Sequence, residues 1–206
     1  MKNMVLIALI VLLASTAFAQ GKSPDMTIFG FRLGDKLTLP ECAYIKKMMI
    51  YTENDSAPCY ERFYNFREMK QQTIPPVNET IQILFPFGNA PSIMAGRKAI
   101  AQVVSGKLES ISFNVMGLEF RDRDQVLSAL KDKYGEPSRI QKEAKQNSFN
   151  ASVSSLTVDW SFVDLTVSLQ DVVTDKIDSG LVNIDTAKGS AYRVSLQNRY
   201  DTGPKL

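Results

Sequence analysis

Residues 121–137, RDRDQVLSALKDKYGEP, constrain the fold of this chain more than any other stretch. Asp122 can cap the free N–H groups of a first helical turn, and Gln125 stands three residues on, as a capping box requires. Val126, Leu127, Leu130 and Tyr134 recur at helical spacing and form one apolar stripe. Lys131 and Lys133 occupy the last turn, where the helix dipole favours cations. Gly135 then offers a left-handed C′ position, and Pro137 forbids continuation. One amphipathic helix cannot bury its stripe alone, so the strand-like runs on either side are its partners.

Those runs alternate. Ile111, Phe113 and Val115 face one side and Ser110, Ser112 and Asn114 the other, after a turn at 105–107 that pairs them with 100–104. Leu156, Val158, Trp160 and Phe162 repeat the pattern, followed by Leu165, Val167 and Leu169 beyond a tight turn at Val163-Asp164. Clean alternation means antiparallel sheet with one wet face. Shorter strands are expected at 27–33 and 80–85, and a hairpin at 181–186 and 191–196 around Ala187-Lys188-Gly189-Ser190. Thr38 and Glu41 form a second capping pair, so a helix is expected over 39–49. Residues 141–155 are polar and rich in serine and asparagine, which predicts a long loop, and 198–206 reads as a tail. The fold class is therefore α+β, antiparallel sheets with packed helices. The order strand, helix, strands occurs twice, which predicts two tandem helix-on-sheet lobes at 20–117 and 118–197.

The first nineteen residues read as a cleavable signal peptide. Lys2 supplies the positive end, 4–13 an apolar run, and Ala17-Phe18-Ala19 a cleavage site ahead of Gln20. The run is shorter than the roughly 20 residues that span a bilayer, so no transmembrane segment is expected in the mature chain. The expected location is periplasmic or secreted. There Cys42 and Cys59, the only cysteines, meet an oxidising compartment and are expected to pair. That bridge closes a short loop, worth about 3 kcal/mol by chain entropy. A formal net charge of +2 gives no field for nucleic acid.

The chain has no histidine, which removes Ser-His-Asp and Cys-His devices and any imidazole metal site. No phosphate-binding glycine loop or zinc-type cysteine spacing occurs either, so no cofactor, metal or catalytic residue is assigned. Asp171, Asp175 and Asp178 have oxygen ligands for Ca²⁺ but read as a solvated loop. The aromatic stretch around the disulfide offers the first binding surface: Tyr51, Tyr60, Phe63 and Tyr64 give contact area at low entropic cost. The alternative for these rings is a place in the core. The functional expectation is a non-enzymatic module that binds a protein partner in the cell envelope. One alternative is a carboxylate-dependent enzyme acting on envelope polysaccharide, with its acids drawn from Glu109, Glu119, Asp159, Asp164 and Asp171. Another is a structural subunit of a surface assembly, which would display an exposed edge strand.

Phe31-Arg32-Leu33-Gly34 before the capped Thr38, and Gly117 before the helix ending Lys133-Tyr134-Gly135-Glu136-Pro137, form a pattern that resembles small bacterial envelope domains. These are the β-lactamase-inhibitor-like and BamE (SmpA)-like domains, in which helices pack on an antiparallel sheet. The inhibitors carry two such units in tandem, with disulfides. The resemblance lies in element order across residues 27–196 and implies a binding protein, an envelope accessory factor or an inhibitor of a hydrolase. The lipid-attachment cysteine of the assembly lipoproteins is absent here.

Overall fold

The computed structural model describes residues 24–45, 50–52, 56–63, 75–116, 123–146, 152–174 and 178–201. The described residues open with a two-residue-loop hairpin, β1 (Thr27–Ile28) and β2 (Phe31–Arg32). A small hairpin follows, β3 (Ala43–Ile45) and β4 (Ile50–Thr52). Then come β5 (Cys59–Arg62), β6 (Glu79–Leu84), β7 (Lys98–Val104) and β8 (Lys107–Met116). Helix α1 (Arg123–Tyr134) leads to β9 (Arg139–Gln146), β10 (Ser152–Ser161), β11 (Thr166–Thr174), β12 (Asp178–Asp185) and α2 (Ala187–Asp201).

Eight strands form one antiparallel sheet in the order β5-β6-β7-β8-β12-β11-β10-β9. Two four-stranded meanders meet where β8 pairs with β12. The stretches expected as two lobes thus contribute to a single sheet, and their apolar residues form one cluster that includes Ile81, Ile111, Val126, Leu156 and Ile184. The α+β class and the antiparallel pairing follow the alternation, and α1 has its expected stripe, with Val126, Leu130 and Tyr134 buried. Gly135 ends α1 at φ 79°, donating its N–H to the Lys131 carbonyl at 2.7 Å.

Five expectations are corrected. Of the helix expected over 39–49, the described residues 39–45 are not helical; Ala43–Ile45 is strand β3, and residues 40–42 run along β5, with Tyr60 N–H donating to the Pro40 carbonyl and Cys42 N–H to the Tyr60 carbonyl. A bridge to the edge strand satisfies those backbone groups in place of a helical turn. The expected loop at 141–155 is instead largely strand, because Val153 to Asp159 of β10 pair with Lys145 to Arg139 of β9. Residues 191–196 are helical rather than a hairpin arm. Thr186 caps α2, its Oγ1 accepting from the Gly189 N–H at 3.1 Å, and Tyr192 and Leu196 stand one helical turn apart. The same helix takes in 198–201, so the tail is shorter than expected. The run at 27–33 is two strands turned at Phe29-Gly30, both at positive φ, 53° and 85°.

The expected disulfide joins Cys42 to Cys59 with an S–S length of 2.07 Å. It lies over Leu84 on the side of the sheet opposite Tyr60. The segment carrying Cys42 thereby covers one edge of the sheet at β5. The other edge, β9, carries Arg139, Lys142 and Lys145, the charged composition that discourages edge-to-edge association. Among the described residues no helix is long and apolar enough to cross a membrane.

Candidate functional site

The two faces of the sheet differ in chemistry. One presents Ile81, Ile83, Ala101, Ile111, Phe113, Val167 and Val182, buried beneath α1 and the β1–β2 hairpin. The other presents the residues between them. Across neighbouring strands these are Glu61, Gln82, Ile100, Ser112, Asn183, Ser168, Asp159 and Arg139, a row that runs the full width of eight strands. Strand spacing of about 4.8 Å makes that row roughly 34 Å long.

Hydrogen bonds between strands fix many of these side chains. Thr80 Oγ1 donates to Gln102 Oε1 at 2.7 Å, Ser112 Oγ to Asn183 Oδ1 at 2.7 Å, and Ser110 Oγ to Asp185 Oδ1 at 2.6 Å. Lys98 Nζ reaches Gln82 Oε1 at 3.3 Å and Glu61 at 3.7 Å. Cross-strand pairs of this kind hold their rotamers before any ligand arrives, so the surface is already ordered.

Helix α2 lies on part of this face. Gln102, Ser110, Asn183 and Asp185 are buried there, whereas Lys98, Asn114, Thr166 and Gln170 on the same face are exposed. The cover sits close: a Cβ on Gly189 would overlap the Glu109 carbonyl, so only glycine lets the first turn of α2 approach β8. Farther along, Arg193 donates to Asp185. Burial pushes the Asp185 carboxyl above its ordinary value of 3.8, and bonds from Ser110 and Arg193 offset only part of that.

A stability consequence follows from that sign. A carboxyl with a raised folded-state pKa takes up its proton in the folded state first. Its contribution is fully present below the unfolded value of 3.8 and is lost as pH rises through the folded-state value. Wild type should therefore gain stability relative to Asp185→Asn as pH is lowered from 7 towards 4. Urea unfolding of both proteins across that range checks this; a difference that stays constant or runs the other way would refute it.

The residues singled out from the sequence are placed as follows. Tyr60 is buried on the core side of β5, paired with Ile83, with the Arg62 guanidinium 5.8 Å from its ring centre. Its strand register turns the ring inward, so it is core and not contact surface. Phe63 is 57% exposed at the end of β5. Tyr64 and the Tyr51 side chain lie outside the described residues, as do Glu119 and Asp175. Asp171 is buried and held by Arg123 and by the Leu156 N–H, a structural role. Trp160 is buried in the core, as expected.

Glu109 and Asp164 come together at one end of the sheet. Both line a cleft of about 400 Å³ with Arg32, Asp35, Lys107 and Lys188. Glu109 is buried and accepts from the Thr186 hydroxyl at the cap of α2. No local pattern in the sequence marks this meeting, because it depends on the β8–β12 pairing, whose last partners, Ser110 and Asp185, lie far apart along the chain. Among the described residues no group of three or more acidic or sulfur ligands could hold a metal ion. Compared with known protein families, curated proteins and solved structures, the chain matches none of them.

Proposed function

We propose that this chain is an exported, non-enzymatic protein that holds a protein partner of the cell envelope on the open polar face of its sheet. The observation that carries the reading is the part of that face left open by α2, where Lys98, Asn114, Thr166 and Gln170 are exposed on strands paired in one sheet. A stable interface takes about 800 Å² from each partner, and the part of the face that α2 leaves uncovered, several residues along each of its strands, is the surface that would supply it. Ile100, 41% exposed amid polar neighbours, provides an apolar contact in the middle of the patch. The bridge Cys42–Cys59 suits an oxidising compartment.

Thr157 and Gln170 stand opposite each other on this face, away from α2, with Thr157 half-buried and Gln170 exposed. Capture from envelope extract with the oxidised chain from Gln20 should yield one stoichiometric partner, lost with Thr157→Arg/Gln170→Arg. The partner should be kept with Val194→Arg, which alters an exposed position on α2. A partner held equally well by the double variant would overturn the reading.

A second reading rests on the cleft shared by Glu109 and Asp164. Two carboxyls about 5–10 Å apart are what hydrolysis of a glycosidic bond requires. Release of reducing ends from envelope polysaccharide by wild type, and not by Glu109→Gln, would favour this enzyme over the binding module.

A further inference from the structure

An open sheet has two edges, and this one treats them differently. At β5 the edge is covered by residues 40–42, which hydrogen-bond to the Tyr60 backbone and which the Cys42–Cys59 bridge joins to the strand. At the other end, β9 pairs with β10 alone among the described residues. It runs from Arg139 to Gln146 in one unbroken register and without proline. An edge this long and regular leaves backbone N–H and C=O groups open to another strand, and the usual protections are a short strand, a bulge, a proline, a cover or charge. Strand β9 has only charge.

The charges on that strand complement themselves. Arg139, Gln141 and Glu143 stand on the polar face, opposite Asp159, Thr157 and Ser155 of β10, and Ile140 and Lys142 on the other, opposite Val158 and Leu156. Two copies related by a two-fold axis normal to the sheet keep each face on its own side, so residues that meet across the axis share a face. Centred on Gln141, such a pairing sets Arg139 opposite the second copy's Glu143, and the same again by symmetry. On the other face it sets Ile140, 49% exposed, opposite the second copy's Lys142, whose alkyl stem can cover it. Of the registers built on Arg139 to Ala144, this is the one that brings opposite charges together; centring on Lys142 or on Glu143 sets like charges face to face. The polar row is ordered beforehand, with Arg139 Nη2 donating to Gln141 Oε1 and Gln141 Nε2 to Glu143 Oε1 at 2.8 Å.

We propose that a second copy of this chain pairs antiparallel with β9, in the register centred on Gln141, and joins the two eight-stranded sheets into one. Because β5 is covered, each copy has one open edge among the described residues, so association closes at a dimer and does not continue into a fibre. The charge that bars other strands and other registers is what selects this one. The pairing is separate from the capture of an envelope protein on the open polar face and does not depend on it.

Sedimentation equilibrium of the chain from Gln20, with its disulfide formed, tests this. One strand from each copy makes a small interface, so the dimer should appear over about 0.1–1 mM protein. Arg139→Glu and Glu143→Arg each set two like-charged pairs opposite one another and should weaken the dimer about tenfold or more. Arg139→Glu/Glu143→Arg exchanges the signs and should restore it to within a factor of about three of wild type. An unchanged circular dichroism spectrum shows that each variant is folded. A wild-type chain that stays monomeric up to about 1 mM would overturn the proposal. So would a dimer that the single variants leave intact, or one that the exchange of signs does not restore.

Discussion

Replacing Arg123 with methionine should destabilise the protein by about 3–5 kcal/mol, the cost of leaving a buried charge without its partner. Asp171 sits on the core side of β11 with a fully buried side chain. Its carboxylate accepts from Arg123 Nε, from Arg123 Nη2 at 2.8 Å and from the Leu156 N–H at 2.9 Å. This two-pronged pair ties the first turn of α1 to the sheet between β10 and β12. Arginine at a helix N-terminus opposes the helix dipole, so its place there reflects the pair and not helix propensity. For a domain of this size the loss corresponds to roughly 10 °C in Tm. Arg123→Met/Asp171→Leu removes both charges and should recover most of the stability, because an apolar replacement of both partners is often neutral. Chemical denaturation of the two single variants and the double checks the coupling. Additive losses would show that the pair does not act as one unit.

That pair also shows where the sequence could and could not be read. Asp171 stood in an acidic run that read as a solvated loop, with calcium binding as its alternative; register alone puts it in the core opposite Leu156. Helix α1 was legible because its stripe and its Gly135 stop are local signals, and the central hairpins were legible because alternation has a period of two whatever the partner strand. Strand β9 was not legible. Its sequence RIQKEAKQ is that of an edge, where charge replaces apolar pattern, and an edge strand looks like a loop until its neighbour is known. Helix α2 misled for a related reason. Residues 191–196 alternate well enough for a strand, and the helical outcome turns on Thr186 as cap and on Gly189, whose missing side chain matters only against β8.

The candidate surface was the least legible part. Serine, threonine and asparagine opposite an apolar face are what any antiparallel sheet shows to water, so no one strand marks the polar face as a site. Its continuity arises only when β8 meets β12 and joins two meanders. The aromatic stretch near the disulfide drew attention instead, and there strand register decides residue by residue: Tyr60 turns to the core while Phe63, beyond the end of β5, is exposed.

Trp160→Ala should cost about 3–5 kcal/mol, the range for removing a large aromatic from a packed core. Trp160 is 1% exposed and stands opposite Val167 of β11. Its ring centre lies 6.5 Å from that of Tyr134 at the end of α1, and its Nε1–H donates to the Gly135 carbonyl at 2.7 Å. The substitution therefore acts on three things at once. It opens a cavity beneath α1, removes an aromatic neighbour of Tyr134, and leaves unpaired a carbonyl at the turn that ends the helix. Trp160→Phe separates these, since it keeps most of the volume and loses the indole donor. It should cost about 1–2 kcal/mol, chiefly from the lost hydrogen bond. Hydrogen exchange should then be fastest in the last turn of α1 for both variants, because that turn rests on the indole. Uniform acceleration across the sheet in Trp160→Phe, with no excess at 131–135, would show that the indole only fills space and does not hold the helix end.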